Sequence, residues 1–107
     1  MDLEITVEQL KQQLASANPP LLLDVREQWE FDTANIQCSK LMPMGEIPSR
    51  AHQELDEEQH ILVLCHHGMR SLSVAAWLRN QGFEKAQSIS GGIDAWTRAI
   101  DPKVPLY

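Results

Sequence analysis

The sequence of 107 residues predicts an α/β fold, with a central, mainly parallel five-stranded sheet and helices on both faces. Two short runs, residues 21–25 and 61–64, are apolar almost throughout, which is typical of central parallel strands that helices cover on both sides. Segments with helical spacing of apolar residues alternate with such runs, a pattern typical of right-handed crossovers. The length suffices for one core, so we expect residues 1–107 to form a single domain.

Composition and charge exclude several classes of protein. The formal net charge of −6 argues against non-specific binding of nucleic acid, which requires basic patches. No apolar run is long enough for a membrane-spanning helix, and the acidic residues 1–4 lead into an amphipathic helix rather than a signal peptide. Two cysteines are too few for a disulfide scaffold, which favours a cytoplasmic location. We expect a monomer or a weak dimer without a cofactor.

The first elements are an edge strand and a helix. Ile5 closes the short strand, and Thr6 with Gln9 has the capping-box pattern that begins a helix. Apolar residues at helical spacing continue to position 14, and Asn-Pro-Pro at residues 18–20 stops the helix. This helix is predicted to contribute packing and no chemistry.

The strand at residues 21–25 brings the first charged candidates. Asp24 interrupts the apolar run and Arg26 follows it. Because ligands of parallel sheets bind beyond the carboxyl ends of the strands, both side chains are predicted at the functional edge. The alternative is that they form a structural network that holds loops together.

The chain from residue 28 to residue 60 is less patterned. We expect Trp29, Phe31 and Ile36 to pack against the core. A short strand at residues 41–42, a helix from Met44 to about residue 55 and a solvated acidic turn at residues 56–60 are expected to follow.

The segment Cys-His-His-Gly-Met-Arg-Ser at residues 65–71 is the strongest functional candidate. It joins the strand at residues 61–64 to a helix that is predicted to end at Gly82. The first turn of a helix has unpaired backbone N–H groups and partial positive charge, so it attracts anions. A cysteine placed there is favoured as the thiolate, which is its nucleophilic form.

Two further residues of this loop support a nucleophilic Cys65. Gly68 allows the backbone to turn its amides inward, and Arg70 adds a fixed positive charge. We therefore predict a thiolate at the centre of a cradle of N–H donors. The alternative is a buried cysteine that only ends a core strand.

The last third of the chain is predicted to hold a strand and a helix joined by two glycines. The strand covers residues 86–90, and Gly91 with Gly92 permits a tight turn and close approach of the backbone. In the following helix Trp96 is expected in the core. The tail at residues 101–107 contains two prolines and is expected to lie on the surface.

Three motifs together resemble a rhodanese-type sulfurtransferase domain over nearly the whole chain. They are Leu-Leu-Leu-Asp-Val-Arg-Glu at residues 21–27, the segment at residues 65–71, and Ser-Gly-Gly-Ile-Asp-Ala-Trp at residues 90–96. The resemblance implies that Cys65 carries a persulfide, taken from a donor such as thiosulfate or a protein persulfide and passed to a thiophilic acceptor such as cyanide. Substrate-binding roles are predicted for His66, His67, Gly68, Met69, Arg70, Ser71 and Arg26, and structural support for Asp24, Gly91 and Gly92.

The sequence departs from the family pattern at two places. Ala34-Asn35 stands where the family usually has Gly-His, and Cys38-Ser39 stands where it usually has Gly-Ala. We expect these departures to affect local loop geometry rather than chemistry. Cys38 is interpreted either as a resolving thiol for Cys65 or as a small side chain at a former glycine position, and a reducing compartment favours the second.

Other functions compete with sulfur transfer. Cysteine phosphatases and arsenate reductases also hold a thiolate in an amide cradle, but generally with five residues between cysteine and arginine, whereas four separate Cys65 from Arg70. A sulfur relay or regulatory binding module without turnover is the other alternative. Metal binding is not expected, because Cys65, His66 and His67 are adjacent and zinc ligands are usually spaced further apart.

Overall fold

The computed structural model describes residues 1–107 as a five-stranded sheet with a helix after almost every strand. The strands are β1 (Glu4–Ile5), β2 (Leu21–Asp24), β3 (Lys40–Leu41), β4 (Ile61–Leu64) and β5 (Ala86–Ile89). Their order across the sheet is β1-β5-β4-β2-β3, and every neighbouring pair is parallel. The predicted α/β fold with a parallel five-stranded sheet is thus confirmed.

Five α-helices connect these strands. They are α1 (Val7–Leu14), α2 (Gln28–Thr33), α3 (Ile47–Glu54), α4 (Met69–Asn80) and α5 (Gly92–Ala99), and a 3-10 turn at Met44–Glu46 leads into α3. The predicted capping box begins α1, since Thr6 Oγ1 accepts from the Gln9 amide at 3.1 Å and Gln9 Oε1 accepts from the Thr6 amide at 2.8 Å. Helix α2 was not predicted, and β3 begins one residue before the expected strand.

The core consists of two layers, one on each face of the sheet. Successive residues of a strand point to opposite faces, so Leu23 and Val63 pack under α3 and α4, whereas Leu22 and Leu62 pack under α1 and α5. All four residues of β4 are buried, which explains its continuous apolar sequence. No helix combines the length and apolar character needed to cross a membrane.

Two expectations about packing are wrong. Trp29 is 61% exposed, because it lies on the outer face of α2, whereas Ile36 is buried and Phe31 is half-buried as expected. The tail at residues 101–107 does not lie wholly on the surface. Val104 is buried in the core layer under α1 and α5, and Tyr107 packs against that layer.

The parallel arrangement brings three loops to one edge of the sheet. The loops after β2, β4 and β5 all leave the carboxyl ends of adjacent strands. The start of α5 is fastened to the loop after β4, since the amides of Ile93 and Asp94 donate to the carbonyls of Cys65 and His66 at 2.9 and 3.1 Å. This edge therefore holds the residues singled out in the sequence.

Candidate active site

Cys65 is the first residue after β4, and its side chain is buried. Its sulfur accepts hydrogen bonds from the backbone amides of Gly68, at 3.0 Å, and Ser71, at 3.3 Å. Both amides belong to the loop and the first turn of α4, where backbone N–H groups have no partner within the helix. The arrangement directs the positive end of α4 at the sulfur, which favours negative charge there.

Two glycines give this loop its shape. Gly68 has φ +106°, and a Cβ there would lie 3.1 Å from the amide nitrogen of Gly91. Gly92 has φ +61°, and a Cβ there would lie 2.4 Å from the carbonyl oxygens of both Cys65 and His66. The loop after β4 and the turn before α5 therefore interlock at distances that only glycine permits.

A pair of buried hydroxyl groups lies beneath the sulfur. Ser71 Oγ is 3.4 Å from Cys65 Sγ and 2.7 Å from Ser88 Oγ, and either serine can donate in the second contact. Ser71 Oγ also lies 3.2 Å from the Gly68 carbonyl oxygen, to which it can donate. Ser88 is on β5, so the sulfur is connected through hydroxyl groups to the neighbouring strand.

Arg70 does not point into open solvent above the sulfur. It forms two parallel hydrogen bonds with the Glu30 carboxylate, at 2.8 and 2.9 Å. Glu30 lies on α2 with a side chain only 5% exposed, and Tyr107 Oη donates to it at 2.7 Å. The hydrogen bonds from Arg70 lower the pKa of Glu30 to about 2. Burial acts in the opposite direction, and the hydrogen bond from Tyr107 adds to the lowering. The charge of Arg70 is thus balanced, and this geometry favours a role in holding the loop.

Arg26 is fully buried, so its placement does not favour the predicted contact with substrate. Its guanidinium group donates to both carboxylate oxygens of Asp24, at 2.6 to 3.1 Å, and to the Ala34 carbonyl at 2.7 Å. The remaining nitrogen donates to Tyr107 Oη at 2.9 Å. No donor of Arg26 faces the loop mouth, because each is used to join β2 to α2 and to the tail. Structural support remains the prediction for Asp24, which is fully buried and paired with Arg26.

The side chains of His66, His67 and Met69 form the mouth of the loop. His66 is packed between two rings, with Tyr107 at 3.9 Å and 7° and His67 at 3.9 Å and 29°. Burial, followed by the charge of His67, lowers the pKa of His66. His67 and Met69 are exposed, and Met69 is 83% accessible. Any contact of Met69 with substrate would therefore be made at the rim.

One group of potential metal ligands lies beside the loop. Atoms of His66, His67 and Asp94 lie within 4.8 Å of one another. The two imidazole rings stack face to face, with 29° between their planes, instead of pointing edge-on at a common centre. Arg98 also donates to Asp94 Oδ2 at 2.9 Å, which leaves only Oδ1, 4.0 Å from His67 Nε2. This donor set does not match the convergent tetrahedral geometry of a zinc centre.

Cys38 is remote from Cys65. It is exposed and lines a cleft of about 490 Å³ with Leu21 and Gln59, at the amino-terminal ends of β2 and β4. Four residues of strand span about 13 Å, whereas a disulfide requires Cα atoms within about 7 Å. Cys38 has φ +73°, a conformation that favours glycine, in agreement with its interpretation as a substituted glycine position.

Three residues of the site are not expected from the sequence: Glu30, Ser88 and Tyr107. Glu27 and Glu30 form a capping box at the start of α2, but a glutamate at the first position does not match the Ser/Thr-x-x-Glu/Gln sequence pattern. Ser88 lies in a buried strand without a distinguishing pattern, and Tyr107 reaches the loop only through tertiary contacts.

Comparison with known proteins agrees with this geometry. The model of the rhodanese-like domain matches residues 6–99. The chain is 34% identical over 100 residues to the putative sulfurtransferase YtwF of Bacillus subtilis, covering 94% of this chain and 95% of that protein. It is 38% identical over 94 residues to the putative sulfur carrier protein YrkF of the same organism, covering 88% of this chain and 50% of that one.

Solved structures show the same fold. A rhodanese-like domain protein from Staphylococcus aureus superposes with a TM-score of 0.85 at 28% identity, over 99% of each chain. The chain spans half the length or less of several curated relatives that it matches. On the match to the family model and on the full-length similarity to YtwF, the chain belongs to the rhodanese-like domain family, whose members here include proteins named sulfurtransferases and sulfur carriers.

Proposed function

We propose that this protein is a sulfurtransferase that carries sulfane sulfur as a persulfide on Cys65. One observation carries the proposal, namely the buried sulfur that accepts hydrogen bonds from the Gly68 and Ser71 amides at the start of α4. These donors are preorganised and need no movement when negative charge develops on sulfur. The shared family with named sulfurtransferases supports the same chemistry.

The reaction proceeds in two displacements. The Cys65 thiolate attacks the outer sulfur of thiosulfate, a sulfur–sulfur bond forms, and sulfite leaves with the electron pair of the broken bond. A thiophilic acceptor, cyanide in vitro, then attacks the outer sulfur of the persulfide and restores the thiolate. A protein persulfide serves equally as donor, with its own thiolate as the leaving group. The thiolate is the attacking form in the first step, and the Gly68 and Ser71 amides stabilise negative charge on this sulfur.

The charges around the site bear on the choice of donor. Both arginines near the loop are paired with buried carboxylates, Arg70 with Glu30 and Arg26 with Asp24. Attraction for a dianion such as thiosulfate therefore depends on the loop amides and the start of α4. A sulfur relay that receives its sulfur from a partner protein is the second candidate function, and the similarity to a putative sulfur carrier favours it. In both cases we propose a reducing, cytoplasmic environment, which keeps Cys65 a free thiol.

Phosphatase chemistry is not supported by the loop. A phosphoryl group would bring three oxygens above the sulfur, each requiring a donor, and a general acid for the leaving oxygen. Arg70, which would supply the fork of donors, is engaged by Glu30. Four residues between cysteine and arginine also give a shorter ring than such enzymes use.

Intact mass spectrometry tests the proposal. Thiosulfate, or a cysteine desulfurase charged with cysteine, should add the mass of one sulfur atom to the protein, and cyanide should remove it. Turnover of both donors identifies an enzyme, and loading only from the desulfurase identifies a relay. Hydrolysis of an aryl phosphate that depends on Cys65, with no persulfide from either donor, would overturn the assignment.

A further inference from the structure

Tyr107 contacts three separate parts of the site. Its ring stacks on His66, with 3.9 Å between ring centroids and 7° between planes. Its hydroxyl group accepts from Arg26 at 2.9 Å and donates to Glu30 at 2.7 Å. The edge of the ring meets Trp29 on α2, with centroids 6.0 Å apart. One side chain thus connects the tail to the loops after β2 and β4.

The hydroxyl group completes a continuous chain of charged hydrogen bonds. The chain runs from Arg26 through Tyr107 to Glu30 and from there to Arg70 in the active loop. Without this oxygen, the Arg26 nitrogen retains only the Glu30 carbonyl oxygen at 3.3 Å. Glu30 would lose one of the donors that stabilise its charge. The loss of one such partner destabilises the folded protein, because the charge stays buried.

The ring has a different effect, because it covers His66. The Nε2 atom of His66 is buried and has no hydrogen-bond partner, so nothing but packing fixes the orientation of this imidazole. Besides Tyr107, four charged or titratable groups influence it, namely His67, Glu30, Asp94 and Arg70. Burial is the largest effect and it disfavours the protonated ring. His66 is the residue directly after the nucleophile, so its position is coupled to that of Cys65 through the backbone of the loop.

We propose that Tyr107 is a positioning residue of the Cys65 loop. Its hydroxyl group holds Glu30, which in turn holds Arg70, and its ring holds His66. The effect of Tyr107 on sulfur loading rests on the proposed function, whereas its effect on the placement of His66 and Glu30 does not. The hydrogen bonds and ring contacts of Tyr107 are to Arg26, Glu30, His66 and Trp29, so it acts on the sulfur only through the groups that it holds.

Two variants separate the contributions of the hydroxyl group and the ring. Tyr107→Phe removes the oxygen and keeps the stack on His66, whereas Tyr107→Leu removes both. Leu106→Ala is the matched control, because Leu106 is the adjacent residue and is half exposed. The ring signals of His66 are followed by NMR during a pH titration, and the rate of persulfide loading on Cys65 is measured by mass spectrometry in a single turnover.

The two readouts have distinct expected results. His66 should titrate below its ordinary pKa of about 6.5 in the wild type, in Tyr107→Phe and in Leu106→Ala. In Tyr107→Leu the pKa of His66 should shift upward, because the imidazole ring becomes exposed. Loading should slow about tenfold in Tyr107→Phe, as expected for one lost hydrogen bond to a charged group, and further in Tyr107→Leu. Loading by Leu106→Ala should equal that of the wild type.

Either of two results would overturn the inference. One is a His66 titration in folded Tyr107→Leu that matches the wild type, and the other is wild-type loading by Tyr107→Phe. If Tyr107→Leu does not fold, the loading rate of Tyr107→Phe decides alone. The His66 titration needs no sulfur donor. A wild-type protein that accepts no sulfur would therefore refute the proposed function and leave the placement of His66 still measurable.

Discussion

Cys65 and Cys38 are the two cysteines of the chain, and their surroundings differ in every respect that matters for nucleophilic chemistry. The sulfur of Cys65 is buried and accepts two amide hydrogen bonds, whereas Cys38 is exposed at the opposite edge of the sheet. We expect Cys65→Ser to abolish persulfide formation and turnover, and Cys38→Ser to retain most of both. Substantial sulfur transfer by Cys65→Ser, measured as thiocyanate release, would exclude the mechanism.

Arg70 provides a second prediction at the scale of single residues. Arg70→Ala leaves the Glu30 carboxylate buried without its cation, so the free energy of unfolding should fall by about 2 kcal/mol or more. Use of thiosulfate should weaken as the loop loosens, and Arg70→Lys should restore only part of both properties, since a lysine cannot form the paired hydrogen bonds. Urea unfolding and steady-state kinetics measure the two effects.

Arg50 supplies the control for Arg70. The side chain of Arg50 is 31% exposed, close to the 35% of Arg70, and it also donates to a glutamate through two nitrogens. Its partner Glu54, however, is itself 31% exposed. An exposed pair contributes little, so Arg50→Ala should lower the free energy of unfolding much less than Arg70→Ala does. Equal stability losses in the two variants, with unchanged thiosulfate kinetics in Arg70→Ala, would show that Arg70 acts only as a surface residue.

At the scale of elements, the junction between the active loop and α5 depends on Gly92. In Gly92→Ala the new Cβ would lie 2.4 Å from two carbonyl oxygens of the loop, in a backbone conformation that L-residues rarely adopt. Backbone strain alone should cost about 1 to 3 kcal/mol, and relief of the clash should displace Cys65. We expect lower thermal stability together with a large loss of persulfide loading.

Gly45→Ala is the control for this substitution, because no atom lies within 4 Å of the position where its Cβ would be. Its stability should equal or slightly exceed that of the wild type, since alanine lowers the entropy of the unfolded chain. If Gly92→Ala loaded sulfur at the rate of Gly45→Ala, the interlocked turn would not be required for the active loop.

The strands and helices also show which parts of the fold can be predicted from sequence patterns. Strands β2 and β4 were predictable because burial on both faces gives a continuous apolar run, and the capping box located the start of α1. Helix α2 escaped prediction because its six residues include one large exposed ring, and its most buried member, Glu30, is charged. The position of Glu30 is decided by Arg70, forty residues further along the chain, and local spacing carries no information about such a pair.

For the molecule as a whole, Glu30 makes stability depend on acid. Its pKa is about 2 in the folded protein and near 4.5 when unfolded, so between these values the unfolded chain binds more protons and stability falls as pH falls. The contribution is complete above pH 4.5 and amounts to at most about 3 kcal/mol. Urea unfolding from pH 2 to pH 6 should therefore be less steeply pH-dependent in Glu30→Gln than in the wild type.

A matched variant distinguishes this effect from general acid sensitivity. Glu54 also has a pKa lowered to about 2, by hydrogen bonds from Arg50, but its carboxylate is in contact with solvent, which screens the interaction. Glu54→Gln should change the pH dependence less than Glu30→Gln does. Identical curves for the wild type and Glu30→Gln would mean that the buried pair contributes nothing to acid stability.

The hydroxyl groups of Ser71 and Ser88 beneath Cys65 can rotate, so Ser71 can either accept a hydrogen bond from the sulfur or donate one to it. A protonated thiol can donate to Ser71, which then directs its own hydrogen to the Gly68 carbonyl or to Ser88. When the sulfur becomes an anion, Ser71 can rotate its O–H bond toward it and accept from Ser88 instead. Apart from loss of the thiol proton, this change requires only rotation of the Ser71 and Ser88 hydroxyl groups. The protein can thus accommodate the gain and loss of charge on the Cys65 sulfur with very little reorganisation of its buried groups.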